Sequence, residues 1–118
     1  MEQEAKVHER AFEPGTVLFE EGDASRDLYV LLSGAVRVTR AGWEVAEISE
    51  PGAYFGEMSS LLGEPRSATV TALSEVRVLV VPPERLEDFF GTTPQLALRM
   101  ARELARRLAD TTQLLVER

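Results

Sequence analysis

The chain has 118 residues, a net charge of −7, no cysteine and a single histidine, His8. That length suits one domain with one core. Without cysteine there is no disulfide, thiolate nucleophile, zinc–cysteine site or iron–sulfur cluster, and one histidine cannot build a multi-histidine metal centre. The acidic balance argues against a nucleic-acid surface and gives an anionic ligand no steering from the overall field, so a phosphate site would have to be made locally. No apolar run reaches the length of a membrane span, and "MEQEAKVHER" lacks a signal-peptide core, so the expectation is a soluble cytoplasmic protein.

In chain order, residues 1–10 read as a short polar helix or a loose arm. Turn signals at Pro14-Gly15 and Gly22-Asp23 bracket the apolar run Val17-Leu18-Phe19. Leu28 to Leu32 is continuously apolar, as in a strand buried on both faces, and Gly34 marks a turn or bulge. Val36 and Val38 alternate with Arg37 and Thr39. Trp43, Val45 and Glu47 follow after Ala41-Gly42, which predicts a hairpin. "SATVTAL" and "VRVLVV" supply two further β-rich runs. Short strands separated by glycine turns suggest an antiparallel barrel or roll.

Beyond Pro82-Pro83 the pattern becomes helical. "ERLEDFF" fits a short helix that Gly91 can end. Thr93 is then the predicted N-cap, and Pro94 the first position, of a helix running to Arg118, about 37 Å long. Ala97, Ala101, Leu104, Leu108, Thr111 and Leu115 form a seam with steps of four and three. Such a seam either lies on the chain's own roll or meets a second copy across a two-fold axis.

The stretch "YFGEMSSLLGEPRSATV", Tyr54 to Val70, carries the chemistry. Met58, Leu61 and Leu62 have the spacing of one apolar face of a short helix, started near Gly56 and ended by Gly63 and Pro65. Gly56 would let a ligand approach backbone N–H groups at the helix start. Arg66 returns toward that start with a planar fork suited to two phosphate oxygens, Ser67 adds a hydroxyl, and Ala68 leaves room. Glu57 beside a phosphate makes sense if it accepts a hydrogen bond from a ligand hydroxyl or holds Arg66. The competing reading is an ordinary surface Glu–Arg pair, which contributes little.

This stretch closely resembles the phosphate-binding cassette of cyclic nucleotide-binding domains, a family that includes the sensor domains of catabolite activator protein and protein kinase A regulatory subunits. The matching residues are Phe55-Gly56-Glu57 and Pro65-Arg66-Ser67-Ala68-Thr69-Val70. A second signature runs from Gly22-Asp23 through Leu28-Tyr29-Val30-Leu31 to Gly34, so the resemblance covers about residues 10–118. It implies a mainly β fold with flanking helices: an antiparallel, jelly-roll-like β-roll over 11–82 with the cassette at 55–70, and hinge and C-terminal helices over 83–118, all in one domain. It implies that Arg66 binds the exocyclic oxygens of a cyclic phosphate and Glu57 the ribose 2′-hydroxyl. Gly56, Met58, Ser67 and Ala68 complete the cradle. "ARRLADTTQ" resembles the family's dimer helix, which places Thr111 and Thr112 at the base; otherwise these threonines are solvated or part of the seam. Two departures stand out. Ser60 occupies a place where the family has an apolar residue that couples the cassette to a hinge helix, here near Phe89 and Phe90, and Leu62 is the available substitute. Ser25 stands where the first signature prefers a smaller residue.

The resulting expectation is a free-standing, non-enzymatic sensor of a cyclic mononucleotide, cAMP ahead of cGMP, with no metal or other cofactor. No recognition helix is evident, so direct DNA binding is not expected. The output would pass to an effector protein or across a homodimer formed by the C-terminal helix. The alternative is a nucleotide-independent interaction module that keeps the fold.

Overall fold

The computed structural model describes residues 6–116, with side chains through 113. Eight strands come first: β1 (His8–Phe12), β2 (Val17–Phe19), β3 (Leu28–Ser33), β4 (Val36–Arg40), β5 (Trp43–Ile48), β6 (Tyr54–Phe55), β7 (Thr69–Ala72) and β8 (Val76–Val81). Helix α1 (Glu57–Leu62) lies between β6 and β7; a 3-10 turn at Pro83–Arg85, α2 (Leu86–Thr92) and α3 (Pro94–Val116) follow β8. The strands make two four-stranded antiparallel sheets, ordered β1-β8-β3-β6 and β2-β7-β4-β5. The roll is therefore open, two facing sheets rather than a closed barrel, and the mainly β class with flanking helices holds.

Alternation decides what each strand buries. Val76, Val78 and Val80 point into a core shared by both sheets, with Phe12, Tyr29, Leu31 and Phe55 from the first sheet and Phe19, Val36, Val70 and Ala72 from the second. Leu28 and Val30 face the other way and are buried too, so β3 is covered on both faces over residues 28–31 as its apolar run predicts, and Leu32 and Ser33 emerge to solvent. Gly34 sits at φ +90° with the Glu75 carbonyl oxygen 2.2 Å from where a Cβ would be, so no side chain fits this turn. The hairpin β4–β5 forms as expected, with Trp43 paired to Arg40, although Trp43 and Val45 on this edge strand are exposed.

Three expectations change. His8–Arg10 belong to β1, paired with β8, rather than to a helix or arm, and residues 1–5 lie outside the described residues. Strand propensity there yields to the open edge of β8, whose N–H and C=O groups need partners. Gly91 does not end its helix: α2 continues to Thr92. Thr93 accepts at its carbonyl from the N–H groups of Leu96 and Ala97, as a first-turn residue should, yet its hydroxyl donates backward to the Phe89 carbonyl at 2.6 Å.

The chain divides into two compact units, residues 1–86 and 87–118. In the second unit α3 spans 23 residues, about 35 Å. Ala97 and Leu104 of its seam are half-buried, Ala101, Leu108 and Thr111 are exposed, and the side chain of Leu115 lies outside the described residues. Among the described residues no helix is long and apolar enough to cross a membrane.

Candidate functional site: a caged arginine

The cassette is assembled by the loop before β3, by β6 and α1, and by the turn into β7. Arg66 occupies its centre. It is only 3% exposed. Its Nε donates to Ser25 Oγ at 3.1 Å, Nη1 to the Gly56 carbonyl at 3.2 Å and Nη2 to the Asp27 carbonyl at 2.9 Å. The guanidinium carbon stands 4.0 Å above the Phe19 ring and 5.8 Å from that of Tyr29. Beneath it Phe19, Tyr29 and Phe55 form an aromatic floor from three strands, with Tyr29 and Phe55 stacked at 5.2 Å.

The backbone of Arg66 is fixed as firmly as its side chain. Its carbonyl accepts from the Gly22 N–H and its N–H donates to the Asp23 carbonyl, both at 2.8 Å. Asp23 closes its own turn by accepting the Glu20 N–H at Oδ2. The two sequence signatures are thus one structure: Gly22-Asp23 grips the main chain of the residue that the cassette presents.

All three acceptors of the Arg66 guanidinium are neutral. Burial pushes its pKa down, opposed by Tyr29, Asp27, Asp23 and Glu57. A buried cation held this way carries a desolvation penalty that the nearby carboxylates offset only in part. Three of its five N–H donors are engaged, which leaves one on each terminal nitrogen. Two such donors match two oxygens of one phosphate. Burial likewise raises the Tyr29 phenol, with Asp27 adding to the shift and Arg66 and Arg10 opposing it.

The other expected residues fall as follows. Gly56 precedes α1 in the left-handed region at φ +81°, and a Cβ there would lie 2.7 Å from Arg66 Nη1. The close approach that Gly56 permits is therefore that of the Arg66 side chain. Glu57 opens α1 and is half-buried, near enough to act electrostatically on Arg66. Ser67 donates to the Met58 sulfur at 3.7 Å, and Ala68 is half-buried just before β7. Gly63 ends α1, its N–H bonded to the Ser59 carbonyl. Thr111 and Thr112 belong to the second unit, where their hydroxyls donate to the Arg107 and Leu108 carbonyls of their own helix.

The expected apolar face of α1 is not its buried face. Met58, Leu61 and Leu62 are all exposed, Leu62 at 66%, while Ser59 and Ser60 are buried at 1% and 4%. The small serines let a six-residue helix pack closely on β3, and the long side chains turn outward. Ser60 Oγ itself has no hydrogen-bond partner among the described residues. Phe19, Tyr29, Ser25 and Asp27 were not predicted as site residues. Phe19 three positions before Gly22-Asp23 was the available signal for the first of these.

An arginine caged between a Gly-Asp turn and a Gly-Glu helix start is the arrangement of a cyclic nucleotide-binding domain. Residues 9–93 match that family, and the chain belongs to it. The chain is 31% identical over 110 residues to the CRP-like cAMP-activated global transcriptional regulator of Mycobacterium tuberculosis, covering 90% of this chain and 49% of that protein. It is 38% identical over 88 residues to a cGMP-dependent protein kinase of Toxoplasma gondii, covering 75% and 9%. Its fold is similar to the crystal structure of Thermus thermophilus catabolite activator protein, with a TM-score of 0.79 and 33% identity over 92% of this chain and 53% of that one. The chain thus spans about half of the regulator it matches and far less of the kinase.

Proposed function

We propose that this chain is a non-enzymatic cyclic mononucleotide sensor, with cAMP preferred over cGMP. The observation that carries the reading is Arg66: buried, held only by neutral acceptors, with one donor left on each terminal nitrogen. A cyclic phosphate bears one negative charge and two exocyclic oxygens, which suits that pair. Glu57 would accept the ribose 2′-hydroxyl, and Gly56, Met58, Ser67 and Ala68 would line the cradle. Thr111 and Thr112 would select the base, and their two hydroxyls favour adenine on the strength of the sequence resemblance.

Because Arg66 is almost inaccessible, an anion reaches it only if the residues around the cassette move. That motion is the proposed origin of the signal, relayed through the helices of residues 83–118 to an effector or across a homodimer formed by α3. The exposed side of α3 from Ala105 to Gln113 supports the latter route. The setting would be the cytoplasm, without direct contact to DNA.

Titration of the purified chain with cAMP, cGMP and 5′-AMP tests the reading. A ligand at 100 times its dissociation constant adds about 2.7 kcal/mol of stability. The expected result is stabilisation by cAMP, less by cGMP and none by 5′-AMP. No response to either cyclic nucleotide at millimolar concentration overturns it in favour of a nucleotide-independent interaction module.

A further inference from the structure

We propose that Ser25 is a positioning residue for the phosphate site, a role that rests on the cyclic nucleotide reading. Arg66 has three acceptors, and two of them are backbone carbonyls that no substitution can remove. Ser25 Oγ is the only side chain among the three. It takes the Nε hydrogen, so the donors left for an anion are the pair on Nη1 and Nη2. Ser25 therefore fixes which edge of the guanidinium a phosphate meets.

Its chemistry matters as much as its place. The same loop carries Asp23 and Asp27, yet Asp23 turns its carboxylate back to the Glu20 N–H and Asp27 offers Arg66 only its main-chain carbonyl. A carboxylate at position 25 would neutralise the guanidinium and compete with any anionic ligand. A hydroxyl orients the group without adding a carboxylate contact to it. Glycine or alanine there would leave Nε without that partner and the fork held by the two carbonyls alone. The adjacent Arg26 lies beside the C-terminal end of α1, its Nη2 3.0 Å from where a Cβ on Gly63 would be. Residues 25–27 thus touch the cassette both at the arginine and at the end of its helix.

The experiment uses the full 118-residue chain as wild type, Ser25→Ala, Ser25→Thr and Ser25→Asp. Each is titrated with cAMP by calorimetry and melted without ligand. Ser25→Ala is expected to bind roughly tenfold to a hundredfold more weakly, the effect of one hydrogen bond to a charged group. Ser25→Thr, which keeps the hydroxyl, should stay within about twofold. Ser25→Asp should bind about a hundredfold more weakly while melting at the wild-type temperature or above, because the carboxylate gives the buried cation a partner. That opposition between stability and affinity is what a merely structural serine would not produce. Affinities of Ser25→Ala and Ser25→Asp within about twofold of wild type overturn the proposal, as does weakening of Ser25→Asp accompanied by a lower melting temperature. Should the wild type bind neither cAMP nor cGMP, the functional reading fails in that arm alone. The ligand-free melting of Ser25→Asp then still decides the contact: a rise supports it and a fall overturns it.

Discussion

Arg66→Ala is the most informative single change. The substitution removes the two donors on Nη1 and Nη2 left for a phosphate, each worth about 1.5–3 kcal/mol as a hydrogen bond to a charged partner. Together they give about 3–6 kcal/mol, a loss of affinity on the order of 10²–10⁴. The ligand-free protein also changes. The Gly56 and Asp27 carbonyls lose their donor, at about 1–3 kcal/mol each, while the desolvation penalty of a buried cation disappears. The two effects oppose, so the net cost in ligand-free stability should be about 1–3 kcal/mol, or about 4–12 °C in a chain of this length. Arg66→Lys keeps the charge but has no planar fork, so it should bind tenfold to a hundredfold more weakly, roughly 1.4–2.8 kcal/mol. Calorimetric titration with cAMP beside thermal melts separates the two effects. A folded Arg66→Ala protein that binds cAMP within about threefold of wild type refutes the assignment of the phosphate partner.

Three further outcomes are expected. Gly56→Ala must strain the left-handed backbone and push on Arg66 Nη1, so it should lose roughly 1–2 kcal/mol of stability and also bind cAMP more weakly; urea denaturation and titration measure both. Ser60→Ala removes a buried hydroxyl without a partner and should stabilise the chain by about 0.5–2 kcal/mol in the same denaturation assay, with destabilisation counting against the burial argument. The folded Tyr29 phenol has its pKa above the ordinary value near 10, so the contribution is fully present below that pH and is lost as pH rises through the folded pKa. Tyr29→Phe should therefore flatten the decline of stability above about pH 10 seen in wild-type melts, and an unchanged alkaline slope would exclude Tyr29 as its source.

Much of the architecture is legible in the order of residues. Alternation at Val36 to Glu47, the apolar run at Leu28 to Leu31 and the glycine punctuation specify strands and turns through local rules, and the spacing of Gly56-Glu57 and Arg66 marks the cassette. Period alone, however, says which residues of α1 share a face and not which face is buried. Met58, Leu61 and Leu62 share one, but the sheet surface accepts only the small side chains of Ser59 and Ser60. The β1 strand was missed for a related reason: its polar composition gives no apolar signal, and the open edge of β8 supplies the partner that makes it a strand.

The sequence by itself determined the family, the mainly β class with flanking helices and the identity of the cation, because those depend on residue types at fixed spacing. Only the tertiary structure decided what surrounds that cation. Ser25, Asp27, Gly56 and Phe19 come from segments up to 47 positions away from Arg66 in the chain, and their meeting depends on strand pairing across both sheets. The neutrality of its three hydrogen-bond acceptors, with the carboxylates of the same loop turned elsewhere, is a property of their orientation in space and has no signature in local order along the chain.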